Sequence, residues 1–171
     1  LSQYADGLAR AGVRKVNVSL DTLDPARFVD ITRRDQLGQV LDGIAAAKAA
    51  GLKVKINTVA LKHQNMDEIP DIITWAHGEG HDISLIEVMP LGDTGEDRFY
   101  QYVPLGMIQQ QLEQRWTLTQ ETERDQAGAR PTVRIEWRQK RSIRMIPAPA
   151  RPKTRPNQRP TAPKPKVKPR T

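Results

Sequence analysis

Apolar residues in the first half of the chain recur at two alternating kinds of spacing. Intervals of three and four residues mark one face of a helix, whereas alternation of apolar and polar residues marks a strand. Val16, Val18 and Leu20, for example, alternate with polar residues. The pattern predicts helices over Leu1–Ala11, Pro25–Arg33, Gln36–Ala50 and Asn65–Gly78, and strands over Val13–Leu20, Leu52–Leu61 and His81–Met89.

Helices and strands therefore alternate along this part of the chain, with short connections between them. Parallel strands covered by helices are the simplest fold for such an order. Polar residues such as Asn17, Lys55 and Glu87 interrupt all three strands. This suits a barrel with a partly open lumen better than a packed doubly wound sheet. The predicted fold is α/β, a partial parallel (βα) barrel, that is, a TIM-like half barrel.

A half barrel leaves the backbone groups of its first and last strands unpaired. It also exposes apolar surface that further strands would cover. We therefore expect the chain to aggregate or to form an edge-paired homodimer, unless a complementing chain supplies the missing strands.

The helix and strand patterns weaken towards the end of the chain. Pro104–Trp116 is predicted as an amphipathic helix, and Val133 with Ile135 indicates one edge strand. Neither pattern continues beyond Trp137. The chain accordingly divides into a partial barrel over residues 1–93, a following region over residues 94–136 and a tail over residues 137–171.

The charge balance of the tail differs from that of the rest of the chain. Residues 137–171 hold 12 of the 27 Lys and Arg residues and none of the 20 acidic residues, and they are rich in proline. This composition predicts a disordered, extended segment that binds polyanions without specificity. Because the composition and the helix and strand patterns change abruptly near Val133–Trp137, we hypothesise that the encoding DNA carries a frameshift there.

Two absences in the composition restrict the chemistry and the location. The sequence contains no cysteine, so it supplies no disulfide and no thiolate ligand for a metal or iron–sulfur cluster. It also contains no apolar run long enough to span a bilayer. From the sequence we therefore expect no membrane partner and a cytoplasmic location.

Candidate functional residues are those at the carboxyl ends of the predicted strands, where barrels of this kind carry their chemistry. Three such positions are Ser19, Lys55 and Met89. Each also has an ordinary interpretation: a polar position on a half-exposed strand, a surface lysine and a core methionine, respectively. These residues alone do not identify a site.

Three longer strings give the positions a context. NVSLDTLDP, GLKVKIN and IEVMPLGD occur in this order within residues 1–93. In sequence and spacing they resemble the GTP 3′,8-cyclase family, the radical S-adenosylmethionine enzymes known as protein A of molybdenum cofactor biosynthesis. PLGMIQQQLEQRW resembles, more weakly, the family's helix after the barrel.

This resemblance implies a partial barrel, S-adenosylmethionine as cofactor, two 4Fe-4S clusters and GTP as the substrate, which is converted to a cyclic pterin precursor. It implies that Ser19 and Met89 contact S-adenosylmethionine and that Lys55 meets the GTP phosphates. The chain departs from the family because both cysteine sets are absent and because Ser84 stands where the family usually has arginine.

Three functions remain open on these observations. The first is a fragment of the GTP cyclase, inactive alone because the cluster ligands are absent. The second is one half of an enzyme split over two chains. The third is a non-enzymatic protein whose basic tail binds nucleic acid, although this tail holds a single aromatic residue, Trp137, and shows no recognisable binding fold.

Overall fold

A computed structural model describes residues 1–88, 100–125, 128–135 and 142–146 of the chain. Within these residues, the helices are α1 (Ala5–Arg10), α2 (Pro25–Thr32), α3 (Leu37–Ala49), α4 (Ile69–Gly78) and α5 (Leu105–Glu113). The strands are β1 (Lys15–Ser19), β2 (Lys53–Ala60), β3 (Asp82–Glu87), β4 (Leu118–Asp125), β5 (Gly128–Ile135) and β6 (Ser142–Ile146). No helix in this part of the chain is long and apolar enough to cross a membrane.

Local signals set the ends of the helices. Asp24 caps α2, because its Oδ1 accepts a hydrogen bond from the Arg27 N–H at 2.9 Å, and Pro25 occupies the first helical position. Gly12 and Gly51 follow α1 and α3 with φ of 87° and 79°, a left-handed conformation that favours glycine. These signals end each helix where the next strand must begin.

The described strands form one mixed sheet in the order β1-β2-β3-β6-β5-β4. Strands β1, β2, β3 and β6 run parallel to one another, whereas β4 and β5 form an antiparallel pair and β5 joins the sheet antiparallel to β6. The first three strands follow their chain order, and each is connected to the next through helices. The α/β class and the parallel arrangement predicted for the first three strands are confirmed.

The hydrophobic core lies between one face of this sheet and the helices. In β2 the positions from Val54 to Ala60 alternate, with every second side chain buried, which is the period of a strand with one covered face. The same alternation predicted the strand from sequence. The buried core residues of the strands and helices include Val54, Ile56, Ile83, Leu85, Ile44, Ala47, Ile72, Ile73 and Ile108.

Three predictions for the second half of the chain are wrong. Val133 and Ile135 lie in a strand, as predicted, but this strand, β5, is flanked by β4 and β6 and is therefore not an edge strand. Residues 142–146, assigned to a disordered tail, form β6, whose Ile143 and Met145 are buried against the core. The edge of β3 is therefore paired, and of the two edges expected to be unpaired only that of β1 lacks a neighbour in the described sheet.

The reason for these errors is that β6 is short and its apolar residues are separated by charged ones. Burial of Ile143 and Met145 stabilises β6 only after the strand has paired with β3, because this pairing places both side chains against the core. Residues 147–171, the remainder of the predicted tail, lie outside the described residues.

Candidate functional site

A polar face covers β1, β2 and β3 on the side opposite the core. We define it by Lys15, Asn17 and Ser19 of β1, Lys53, Lys55 and Asn57 of β2, and Asp82 and Ser84 of β3. The strand register brings these residues into rows, since side chains of register partners lie on the same face. From the amino to the carboxyl ends of the strands, the rows are Lys15 and Lys53; Asn17, Lys55 and Asp82; and Ser19, Asn57 and Ser84.

The first two rows contain all the charged residues that these three strands place on the polar face. They are three lysines and one aspartate, and the Nζ of Lys15 lies 3.7 Å from the Oδ2 of Asp82. Both of these side chains are about half exposed, at 48% and 43%, so their attraction is screened by solvent. The net charge of this part of the face is positive, which favours an anionic ligand.

The third row is uncharged and consists of two hydroxyls with an amide between them. Ser19 is exposed, Asn57 is half-buried, and Ser84 is fully buried at 0% exposure. The Oγ of Ser84 has no hydrogen-bond partner among the residues that the structure describes. A buried hydroxyl without a partner is unfavourable.

A hydrogen-bonded bracket fixes the carboxyl ends of β1 and β2 above these rows. Asn65 is fully buried, and its Nδ2 donates to the backbone oxygens of Asp21 and Val59 at 2.7 and 2.8 Å. Its Oδ1 accepts from the Leu61 N–H at 2.8 Å. The Oδ1 of Asp21 accepts from the Val59 N–H at 2.7 Å. Burial raises the pKa of the Asp21 carboxyl, although this last hydrogen bond acts in the opposite direction.

Glu68 extends the bracket to the loop that follows β1. Its carboxylate accepts hydrogen bonds from the Thr22 hydroxyl at 2.6 Å and from the Leu23 N–H at 2.7 Å. The helix predicted over Asn65–Gly78 includes Glu68 in its first turn. The structure instead uses it to tie two loops together, 45 positions apart along the chain.

Glu87, at the end of β3, connects this strand to the start of α5. Its two carboxylate oxygens accept from the Tyr102 hydroxyl at 2.9 Å and from the Leu105 N–H at 3.1 Å. The second contact satisfies a free backbone donor at the helix amino terminus. Residues 89–99, which connect these two elements, lie outside the described residues.

The positions of the three candidate residues in the structure agree with the predictions to different extents. Ser19 lies at the carboxyl end of β1, as expected. Lys55 shares the polar face with it but lies inside β2, which continues to Ala60, so the expectation that it ends a strand is wrong. The reason is that β2 extends beyond the register partner of Ser19, which is Asn57. Met89 lies outside the described residues.

The sequence alone did not reveal that Asn57 and Ser84 share a row or that Asn65 is the centre of the bracket. Asn57 and Ser84 each follow the two-residue alternation of their strands, so the polar side of that pattern was a usable signal. No local signal distinguishes Asn65 from an ordinary polar loop residue, because its partners lie in other segments.

The residues of this chain do not fit an iron–sulfur cluster. The sequence has no cysteine, and the described residues contain no group of three His, Asp or Glu side chains that could hold a metal ion. The polar face suits a different kind of ligand, one with an anionic part for the lysines and polar groups for the uncharged row.

Comparison with known proteins shows what the part of the chain that carries this face is similar to. Residues 2–76 match the Radical SAM superfamily. This range contains β1 and β2 with their helices, and therefore both Ser19 and Lys55. Both candidate positions thus lie in a stretch that is similar to the Radical SAM superfamily.

The similar curated proteins are GTP 3′,8-cyclases. The chain is 60% identical over 119 residues to the GTP 3′,8-cyclase of Erythrobacter litoralis, which covers 70% of this chain and 36% of that protein. It is 59% identical over 119 residues to that of Rhodopseudomonas palustris, covering 70% of this chain and 35% of the relative. For Caulobacter vibrioides the identity is 56%, covering 70% and 34%. The chain spans about a third of the length of these relatives, and the resemblance noted in the sequence is confirmed.

Proposed function

We propose that this chain provides part of the binding wall of a GTP 3′,8-cyclase, with S-adenosylmethionine and GTP held against the polar face. The observation that carries the proposal is the division of this face into a positively charged part and an uncharged row. Phosphates require cationic or donor groups, whereas the amino-acid part of S-adenosylmethionine is served by neutral hydrogen-bonding groups. The names of the relatives support GTP as the substrate.

In this proposal Ser19 contacts S-adenosylmethionine and Lys55 contacts the GTP phosphates. Lys55 lies two residues before Asn57, the register partner of Ser19, so the two positions are separated by roughly 7 Å along the strands and 5 Å across them. Two ligands can therefore lie side by side on this face. Met89, given the same role as Ser19 from the family resemblance, remains a prediction.

The proposal includes a partial barrel as the shape of the domain. Strands β1, β2 and β3 are adjacent in chain order and are joined by helical connections. With right-handed crossovers, such an order places all connecting helices on one face of the sheet, as in a barrel, and leaves the other face for ligands.

The 4Fe-4S clusters of the family supply the electron that cleaves S-adenosylmethionine when they are bound. None of the 171 residues can supply a cysteine ligand, so no step of the reaction is derived for this chain alone. Its own residues bind and orient: Ser19 holds the cofactor, Lys55 neutralises phosphate charge, and Asn65 and Glu68 fix the loops around them. We therefore propose that the chain alone is inactive.

The test is reconstitution with iron and sulfide, followed by measurement of S-adenosylmethionine cleavage and of the cyclic product from GTP. We expect no cleavage from the chain alone. Cleavage after mixing with a separate chain that carries the cluster cysteines indicates a split enzyme, and its absence indicates an inactive fragment. Cleavage by the chain alone contradicts the proposal.

Binding can be tested without the clusters. Isothermal titration of the purified chain with GTP should show an affinity that falls in Lys55→Ala and is unchanged in Lys62→Ala, since Lys62 is exposed and lies outside the polar face. Equal affinities for the two variants would remove Lys55 from the phosphate site.

The alternative of a nucleic-acid-binding protein rests on the basic tail. Removal of residues 147–171 deletes eight of its 12 cations and should lower the salt concentration at which the chain elutes from immobilised heparin. Sequence-selective binding to one nucleic acid, lost in the truncated chain, would favour this alternative over nonspecific attraction. A cytoplasmic location stays a prediction.

A further inference from the structure

Strand β1 ends where the chain turns away from β2 over residues 20–23, which we name the exit loop. The Leu20 N–H still donates to a backbone oxygen of β2 at 3.0 Å, as in a parallel pair. If the ladder continued, the Val59 N–H would donate to the Leu20 oxygen. Instead the Val59 N–H donates to the Oδ1 of Asp21 at 2.7 Å, and the Leu20 oxygen accepts from the Thr58 hydroxyl at 2.8 Å. Side chains therefore satisfy both groups of the missing backbone bond.

Thr58 reaches the exit loop from the core side of the sheet. It follows Ile56 by two residues in the alternation of β2, so its side chain belongs to the covered face, where it is fully buried. Ser19 and its register partner Asn57 lie on the opposite, polar face. Thr58 therefore acts on the chain beside Ser19 through the backbone, and it does not contact a ligand on the polar face.

The hydroxyl of Thr58 is a polar group among apolar side chains. Its neighbours on the covered face of β2 are Ile56 and Ala60, and a valine of nearly the same shape would need no partner there. The bond to the Leu20 carbonyl gives the hydroxyl its use. Without it this buried carbonyl loses an acceptor contact, which is unfavourable unless the exit loop rotates towards another donor or water. Such a rotation moves the preceding residue, Ser19.

We propose that Thr58 is a positioning residue, which holds the Leu20 carbonyl and thereby fixes the direction in which Ser19 meets S-adenosylmethionine. This inference rests on the proposed function, because it assumes that Ser19 contacts the cofactor. The GTP contact should not depend on the same hydroxyl. Lys55 lies three residues earlier in β2 and is held by paired strands on both sides, so a change in the exit loop does not displace it.

The experiment compares Thr58→Val with Thr74→Val in isothermal titration. Each removes a hydroxyl that donates to a backbone oxygen at 2.8 Å, but the Thr74 hydroxyl bonds the Pro70 oxygen within α4, away from the polar face. For Thr58→Val we expect affinity for S-adenosylmethionine to fall about fivefold, the effect of one hydrogen bond of ordinary strength, with no change for GTP. Thr58→Ser keeps the hydroxyl and should retain most of the affinity. Thr74→Val should bind both ligands like the unaltered chain.

Hydrogen exchange of backbone amides tests the hold on the exit loop without any ligand. The Leu20 and Leu23 amides are both hydrogen-bonded, to a β2 oxygen and to the Glu68 carboxylate. They should exchange faster in Thr58→Val than in the unaltered chain, because the loop opens more often when the Leu20 carbonyl is released. Thr74→Val should leave their exchange unchanged. If the two variants exchange alike over residues 20–23, the Thr58 hydroxyl does not hold the loop and the inference is wrong.

The binding results also separate this inference from the proposed function. If Ser19→Ala weakens the binding of S-adenosylmethionine while Thr58→Val does not, Thr58 does not position Ser19, and the proposed function stands. Equal losses for S-adenosylmethionine and GTP in Thr58→Val indicate a general structural role and refute the inference as well. If the unaltered chain does not bind S-adenosylmethionine, the proposed binding wall is refuted, and the role of Thr58 with it.

Discussion

Substitution of Asn65 by alanine tests whether the bracket holds the strand ends in place. The fully buried amide makes three hydrogen bonds, two as donor to Asp21 and Val59 and one as acceptor from Leu61. Each such bond contributes about 1 kcal/mol net, and the substitution removes all three from backbone partner groups. We therefore expect Asn65→Ala to lower the free energy of unfolding by about 3 kcal/mol.

The assay is urea unfolding followed by circular dichroism, with Lys62→Ala as the control. Lys62 belongs to the same loop, but its side chain is exposed, and within the described residues its backbone N–H donates to the Gln101 oxygen. The control should change stability by no more than about 0.5 kcal/mol. If Asn65→Ala is as mild as the control, the bracket does not stabilise the fold and our account of the strand ends is wrong.

Three further predictions concern backbone conformation, pH and association. Gly51→Ala should destabilise the chain by about 1 kcal/mol, because φ is 79° there while nothing lies within 4 Å of an added Cβ. Gly38→Ala, equally open but inside α3, should be neutral or stabilising, so equal losses in urea unfolding contradict the conformational reasoning. Asp21 has a pKa raised above its ordinary value of 3.8, so the folded chain disfavours its ionised form. Its stability should thus fall relative to Asp21→Asn as the pH rises from below 3.8 through the raised pKa, and parallel curves of stability against pH would show that burial of this carboxyl has no cost. Finally, the unpaired edge of β1 predicts dimers or aggregates in light scattering coupled to gel filtration, and a monodisperse monomer with a cooperative melt would refute it.

Much of the first half of the fold could be predicted because its signals are local. Asp24 and Pro25 are adjacent residues that mark the start of α2, and the alternation of apolar and polar residues in β2 indicates which side chains are buried. Burial of every second residue is a property of the strand itself, so it is visible in a short window of sequence. The same alternation placed Ser19 and Lys55 on polar positions of their strands.

The second half was predicted poorly because its strands depend on distant partners. Residues 142–146 have the charge of the tail that surrounds them, yet Ile143 and Met145 are buried beside β3. The free energy that stabilises such a strand comes from pairing with the edge of β3, about 60 residues earlier in the chain. The residues of β6 alone therefore do not reveal that they form a strand.

The sequence by itself determined the order of the elements, the polar positions within the strands and the family to which these strings are similar. The tertiary structure decided which of these positions meet. Strand register sets Ser19, Asn57 and Ser84 in one row, and among the described residues the buried Ser84 hydroxyl has no hydrogen-bond partner. Pairing between strands joins residues far apart in the chain, so the polar face exists only after the sheet has formed.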